Sequence, residues 1–303
     1  MSIQSASVTD QRYKGIFYML LASLGFAVMG GAAKTLTGIL NAGQLVFFRN
    51  LLGFLFLVIS FAKRPPENKG GKFHLLIFRG IIGTIALYGL LYCILNMPLG
   101  TAMSYNLSSA IFIALFSFLL FKEFNGYFIL IALLLGFSGM LLIYKPHMDL
   151  AWQYHLAGII SGIASAIAYL TVGRLSAYYD TRIIVLSFLL GGIFLPLISF
   201  SLHHAGGLRE DGLFIIAWKW PSGWQWFNVS LLALSALFGQ YFVTRAYAAD
   251  KAGIVSAVSY VNILFSVFIG VLLGDAFPDP LSWLGITLII TGGIIVSIYK
   301  RKK

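Results

Sequence analysis

The chain has 303 residues, 59% of them hydrophobic and only 10% charged, with a formal net charge of +11. A soluble domain carries about 25% charged residues, so a water-exposed fold could not cover this much apolar surface, and the solvent of the chain is lipid. Nucleic acid is excluded as the partner of the positive charge. The basic residues gather into no single footprint and instead punctuate the gaps between apolar runs.

A polar stretch, Met1 to Asp10, leads into Arg12, Lys14 and a long apolar run. It lacks a small-residue cleavage site and reads as a cytoplasmic tail before a retained first helix. A spanning helix needs about 20 mostly apolar residues. The sequence offers ten such stretches: 14–36, 43–62, 73–95, 99–121, 126–143, 155–176, 181–202, 224–247, 253–273 and 281–299. The fold class expected is therefore an all-α polytopic membrane protein of ten transmembrane helices. Cys93 lies inside the third stretch and serves as a small packing residue.

Loop charges orient the bundle. With a cytoplasmic N-terminus, the inside receives Arg12, Lys14, Lys63, Arg64, Lys69, Lys72, Lys122, Arg174, Arg182, Lys251 and the tail Lys300 to Lys303. The outside receives chiefly Lys145, Arg209 and Lys219, with Asp275 and Asp279. That bias places both termini in the cytoplasm and requires an even number of spans. The longest polar interruption, His203 to Asp211, falls outside and leads to Trp218, Trp220, Trp224 and Trp226, an aromatic stretch suited to the outer headgroup level.

The two halves resemble each other at a constant separation. Pro98-Leu99-Gly100-Thr101-Ala102 corresponds to Lys251-Ala252-Gly253-Ile254-Val255, after which Ser109 matches Asn262, Phe112 matches Phe265 and Gly139 matches Gly292. Each half holds five spans, 14–143 and 155–299. Because five is odd, the second half enters the membrane from the opposite side, as the loop charges also require. Inverted repeats are typical of secondary transporters that rock about a midplane site.

Several segments then carry a family resemblance. They are Phe47-Phe48-Arg49-Asn50, Phe78-Arg79-Gly80, the run from Tyr92 to Pro98, and the element from Ala102-Met103-Ser104-Tyr105-Asn106-Leu107-Ser108-Ser109 to Phe121-Lys122-Glu123. Over Gly15 to Ile298 the chain resembles the EamA-type permeases of the drug/metabolite transporter superfamily. The resemblance implies a central cavity lined mainly by spans 1, 3, 4, 6, 8 and 9. The second half departs from the pattern at Ala276, which stands where Glu123 stands in the first, with Asp275 one place earlier.

Charged residues at depth are costly and mark function or strong pairing. Lys34, Arg49, Arg79 and Arg245 are the candidates. One reading is attraction of an anionic group; the other has Arg79 and Arg245 reaching the cytoplasmic face and Lys34 the outer one. Arg49, about two turns into its span, is as suited to a structural contact as to a ligand. No Asp or Glu lies mid-span, which favours exchange or facilitated passage over proton or sodium coupling.

Neutral polar residues supply the remaining pocket candidates. Tyr105, Ser108, Ser109 and Phe112 recur at helical spacing on span 4, as do Ser259, Asn262 and Ser266 on span 9. Tyr88 and Tyr92 share a face of span 3, Ser165 and Tyr169 one of span 6, and Gln240 and Tyr241 add to span 8. Such residues also bond helices together. A ring of donors and aromatic faces suits a small amphiphilic metabolite, with amino acids or related compounds first and organic anions as the alternative. Gly158, Ser161 and Gly162 form a small-residue contact face, and Gly292 and Gly293 are expected to pack in the last span.

An intramembrane enzyme is the rival class, since Tyr179-Asp180 and Gly274-Asp275 resemble the paired aspartates of presenilin-like proteases. Two carboxylates sharing a proton must lie at one depth, whereas Asp180 falls inside and Asp275 outside. No cofactor, no metal site and no catalytic residue is expected. A bacterial cytoplasmic membrane is the expected setting, with the lipid bilayer and a small-molecule substrate as partners and both monomer and oligomer left open.

Overall fold

The computed structural model describes residues 13–67, 69–96, 99–121, 126–144, 151–206, 218–273 and 277–302. The tail at Met1 to Asp10, Arg12, Pro98, Lys122, Glu123, Lys145, Arg209, Asp211, Asp275, Ala276 and Lys303, named above, lie outside the described residues. In chain order the helices are α1 (Lys14–Lys34), α2 (Ala42–Lys63), α3 (Phe73–Asn96), α4 (Leu99–Leu107), α5 (Ser109–Phe121) and α6 (Tyr127–Tyr144). They continue as α7 (Trp152–Leu175), α8 (Thr181–Gly206), α9 (Gln225–Ala249), α10 (Ala252–Ser259), α11 (Val261–Leu272) and α12 (Pro280–Lys302). Every expected span is helical, with its ends displaced by no more than four residues.

Among the described residues, seven helices, taking α10 with α11 as one, are long and apolar enough to cross a membrane, and three shorter apolar helices complete ten. Large apolar side chains such as Leu55, Ile81, Leu134, Ile198, Phe268 and Ile290 are exposed around the bundle. A monomer in water does not present so continuous an apolar surface. The chain is a multi-pass membrane protein.

Spans 4 and 9 differ from expectation in being interrupted, each for one residue, at Ser108 and at Tyr260. The Ser108 hydroxyl donates to the Tyr105 carbonyl at 2.6 Å, and the Ser259 hydroxyl to the Ser256 carbonyl at 2.6 Å. Hydroxyls that bond back to the previous turn compete with the helical ladder. Hydrophobic periodicity carries no mark of such a break.

Packed pairs follow a simple rule. α1 lies on α9 and α3 on α7; α2 lies on α8, α5 on α10 and α6 on α12. α2 also meets α9, as α3 meets α8. Exchanging the first five crossings with the last five leaves these partners unchanged. Close approach relies on small residues. A Cβ on Gly139 would sit closer than 3.0 Å to the Gly285 carbonyl, and one on Gly285 closer than 3.0 Å to the Gly139 carbonyl. A Cβ on Gly292 would sit 2.9 Å from the Ala132 carbonyl, whereas one on Gly293 would face open space.

Local chemistry fixes both ends of α2. Asn41 and Gln44 form a reciprocal capping box at the start of α2, and the Gln44 amide also donates to the Lys219 carbonyl. Trp218 rests on Phe47 and Phe48, at 4.9 and 5.6 Å between ring centres, so the aromatic stretch is docked on α2, with Trp220 and Trp224 exposed. At the other end Arg182 bonds the Ser60 hydroxyl and the Arg64 carbonyl, tying α8 to the end of α2.

Candidate functional site

A cavity of about 90 Å³ lies where the interrupted spans 4 and 9 meet six other crossings. Sites for drug-sized ligands run about 300–1,000 Å³, so this enclosure is scaled to a small solute. From α1 it receives Met19, Ser23, Phe26 and Met29, and from α3 Arg79, Gly83, Ala86, Leu87 and Leu90. α4 and α5 contribute Met103, Asn106, Leu107 and Ser109; α7 contributes Ser165, Ala168 and Tyr169. Gln240 and Tyr247 of α9, Ser259 of α10 and Asn262 of α11 close the far side, with Arg49 of α2 and Phe188 of α8 completing the wall. Spans 2 and 7 thus join the six implied by the family resemblance.

The structure brings Arg49, Arg79, Ser109, Ser165, Tyr169, Gln240, Ser259 and Asn262 together in this wall. The other candidates lie elsewhere. Tyr105 bonds His155 Nδ1 through its hydroxyl at 2.6 Å, and the interruption at Ser108 explains why helical spacing across it did not hold Tyr105 and Ser109 on one face. Ser108 is engaged with the Tyr105 carbonyl. Tyr92 packs on Tyr154 and Tyr88 is buried in the apolar cluster beside Phe47 and Leu91. The cavity face of α3 instead carries Arg79, Gly83, Ala86, Leu87 and Leu90. Tyr241 meets Arg245, whose guanidinium lies 4.7 Å above the Tyr18 ring. Lys34 is exposed at the end of α1.

Arg79 does not reach for the membrane face. It is 1% exposed, and its guanidinium carbon lies 5.2 Å from the centre of the Phe188 ring. Gly83, one turn along α3, makes room for it. Arg49 is 3% exposed and lies 5.2 Å from the same ring. No carboxylate is among the lining residues.

Several neutral polar groups are already bonded to other helices. The Asn262 amide donates to the Ser23 carbonyl at 2.8 Å, joining α11 to α1, and the Asn106 amide donates to Ser165 Oγ at 3.5 Å, joining α4 to α7. Ser161 donates to the Ala86 carbonyl at 2.7 Å, and Gly158 and Gly162 lie against Tyr105. These contacts hold the wall together.

The rings of Tyr169 and Tyr247 stack at 4.9 Å with planes 15° apart. Both line the cavity, and both also line a second, larger space of about 720 Å³ bounded by Arg174, Asp250 and Lys251. The stacked pair is the lining that the two spaces share. Sequence spacing pointed to Tyr169 but not to Tyr247, Phe188 or the three methionines Met19, Met29 and Met103, which read as ordinary apolar span residues.

Comparison with known proteins gives the class of this multi-pass helical membrane protein. Residues 13–145 match the EamA-like transporter family. An uncharacterized transporter of Helicobacter pylori is 31% identical, with 94% of each chain covered. The pseudopaline exporter CntI of Pseudomonas aeruginosa is 29% identical over 97% of this chain and 99% of its own. A riboflavin transporter of Vibrio cholerae is 23% identical over 98% and 97%. A crystal structure at 18% identity superposes with a TM-score of 0.77, covering 97% of this chain and 98% of the other, which shows the fold. The chain belongs to the EamA-like transporter family of the drug/metabolite transporter superfamily, and it is a transporter rather than an enzyme.

Proposed function

We propose that this protein is a secondary transporter that moves a small amphiphilic metabolite, with amino acids or related compounds first, by alternating access about the central cavity. The observation that carries the reading is a small space with both polar and apolar walls, built from eight crossings, that shares the stacked Tyr169–Tyr247 pair with a larger space; the pair then acts as the partition between cavity and vestibule. Similarity to an exporter of pseudopaline and a riboflavin transporter supports a metabolite as cargo. The two halves, 14–143 and 155–299, act as inverted repeats; the exchange-invariant packing of their helices supports this. Similarity to bacterial transporters supports a bacterial cytoplasmic membrane, and loop charge supports both termini inside and hence a cytoplasmic vestibule.

Among the described residues the cavity wall holds no carboxylate, which supports exchange or facilitated passage rather than proton coupling. Counterflow in proteoliposomes tests the reading, with metabolites chosen by the thermal stabilisation they give. Saturable exchange is expected; uphill uptake driven by an imposed proton gradient would overturn the uncoupled mechanism. The organic-anion alternative is favoured by one specific observation, the paired arginines.

A further inference from the structure

Arg49 and Arg79 set two full positive charges against one wall of the cavity. They come from different helices, α2 and α3, and both guanidinium carbons lie 5.2 Å from the Phe188 ring centre, so they are within twice that distance of each other. Arg49 Nη1 donates to Asn50 Oδ1 at 3.4 Å. Among the described residues, Arg49 Nε and both Nε and Nη1 of Arg79 have no hydrogen-bond partner, though each is fully buried. Asp180, a carboxylate that follows α7, is engaged with Arg182 at the start of α8.

A guanidinium in a membrane interior is costly unless a counter-charge meets it, and a second one beside it raises the cost. A planar fork of N–H donors fits a carboxylate or phosphoryl group through paired, charge-assisted bonds. The rest of the wall is apolar or neutral. Leu87, Leu90, Met103 and Phe188 offer cover for a short carbon chain.

We propose that the cavity selects small solutes carrying two negative charges, whose acid oxygens engage Arg49 and Arg79 together. This rests on the cavity being the transport site. Loaded, the site is neutral; empty, it carries two charges, so the loaded carrier crosses its occluded state more readily than the empty one. Exchange follows from that asymmetry. The shared chemistry is the doubly charged oxyanion, supplied either by two carboxylates or by one phosphate monoester.

Thermal unfolding of the purified protein tests this with succinate, succinamate and succinamide, which match in length and carry two, one and no negative charges, and with glycerol 3-phosphate. The expected result is an apparent affinity that falls about tenfold or more with each charge removed. Arg49→Lys and Arg79→Lys keep the charge and lose the fork, so they weaken binding but preserve the order; Arg79→Gln abolishes the difference between succinate and succinamate. Stabilisation by glycerol 3-phosphate alone supports the dianion and assigns it to a phosphoryl group. Equal stabilisation by succinamide and succinate, or none by any of these anions, overturns the proposal. Saturable counterflow of a neutral or cationic solute that Asn262→Ala impairs overturns the charge selection yet leaves the transport reading standing.

Discussion

Replacing Tyr247 by Ala removes one ring of the partition between the central cavity and the vestibule. The rings stack at 4.9 Å, with planes 15° apart, and Tyr247 is 4% exposed. A stacked aromatic pair contributes about 0.5–1.5 kcal/mol beyond its buried area. At about 1.4 kcal/mol per decade, that shifts the closed–open balance roughly two- to twelvefold, and the void left by the ring adds a direct path. A thiol placed by Ser165→Cys in a Cys93→Ser background reports on entry, since Ser165 lines the cavity. Its rate of modification by a membrane-impermeant reagent is measured from the side that bears Arg174, Asp250 and Lys251. Tyr247→Ala is expected to raise the rate at least twofold, and Tyr247→Phe to leave it unchanged because the ring remains. An unchanged rate in Tyr247→Ala would refute the partition.

Gly139→Val drives a side chain into the Gly285 backbone, which cannot give way, and is expected to cost about 1–3 kcal/mol, seen as a lower Tm in detergent. Gly293→Val, with open space around it, leaves the Tm unchanged; equal losses would contradict the α6–α12 crossing described above. Burial pushes the Asp180 carboxyl up, but bonds from the Arg182 side chain and main-chain N–H, with the charges of Arg182 and Arg245, hold it below its ordinary 3.8. Its stabilising contribution is therefore complete above that value and lost as the pH falls below it. Asp180→Asn should lower the Tm equally at pH 7 and pH 5, with the gap closing in stronger acid; a gap that widens in acid would contradict the pairing. Reporter fusions at both ends should show cytoplasmic activity, and an external signal from either end would overturn the proposed orientation.

Which parts were legible in the sequence depends on what each part rests on. The ten spans are legible because lipid demands unbroken apolar runs of a set length, and α1 to α12 fall where those runs fall. Gly139 and Gly292 are visible in the sequence as matched glycines, but their contacts with Gly285 and Ala132 are not, since a glycine carries no sign of what approaches it. Within the site, Ser259 and Asn262 were found by helical spacing. Tyr105 was misplaced by the same rule, because a serine bonding back to its own helix breaks the face without changing the hydrophobic pattern. The burial of Arg79 is a tertiary effect: Gly83 on α3 and Phe188 on α8 make its pocket, and neither announces it. Phe188 and Tyr247 are apolar or aromatic residues in apolar spans, so only packing distinguishes them from residues facing lipid.

Counterflow of labelled succinate into proteoliposomes loaded with excess unlabelled succinate tests the central claim most directly. The account predicts transient accumulation above the external concentration, saturable and lost in Arg79→Gln. Uptake that rises linearly with concentration and ignores the internal pool, or no uptake of either succinate or glycerol 3-phosphate in the same assay, would contradict it.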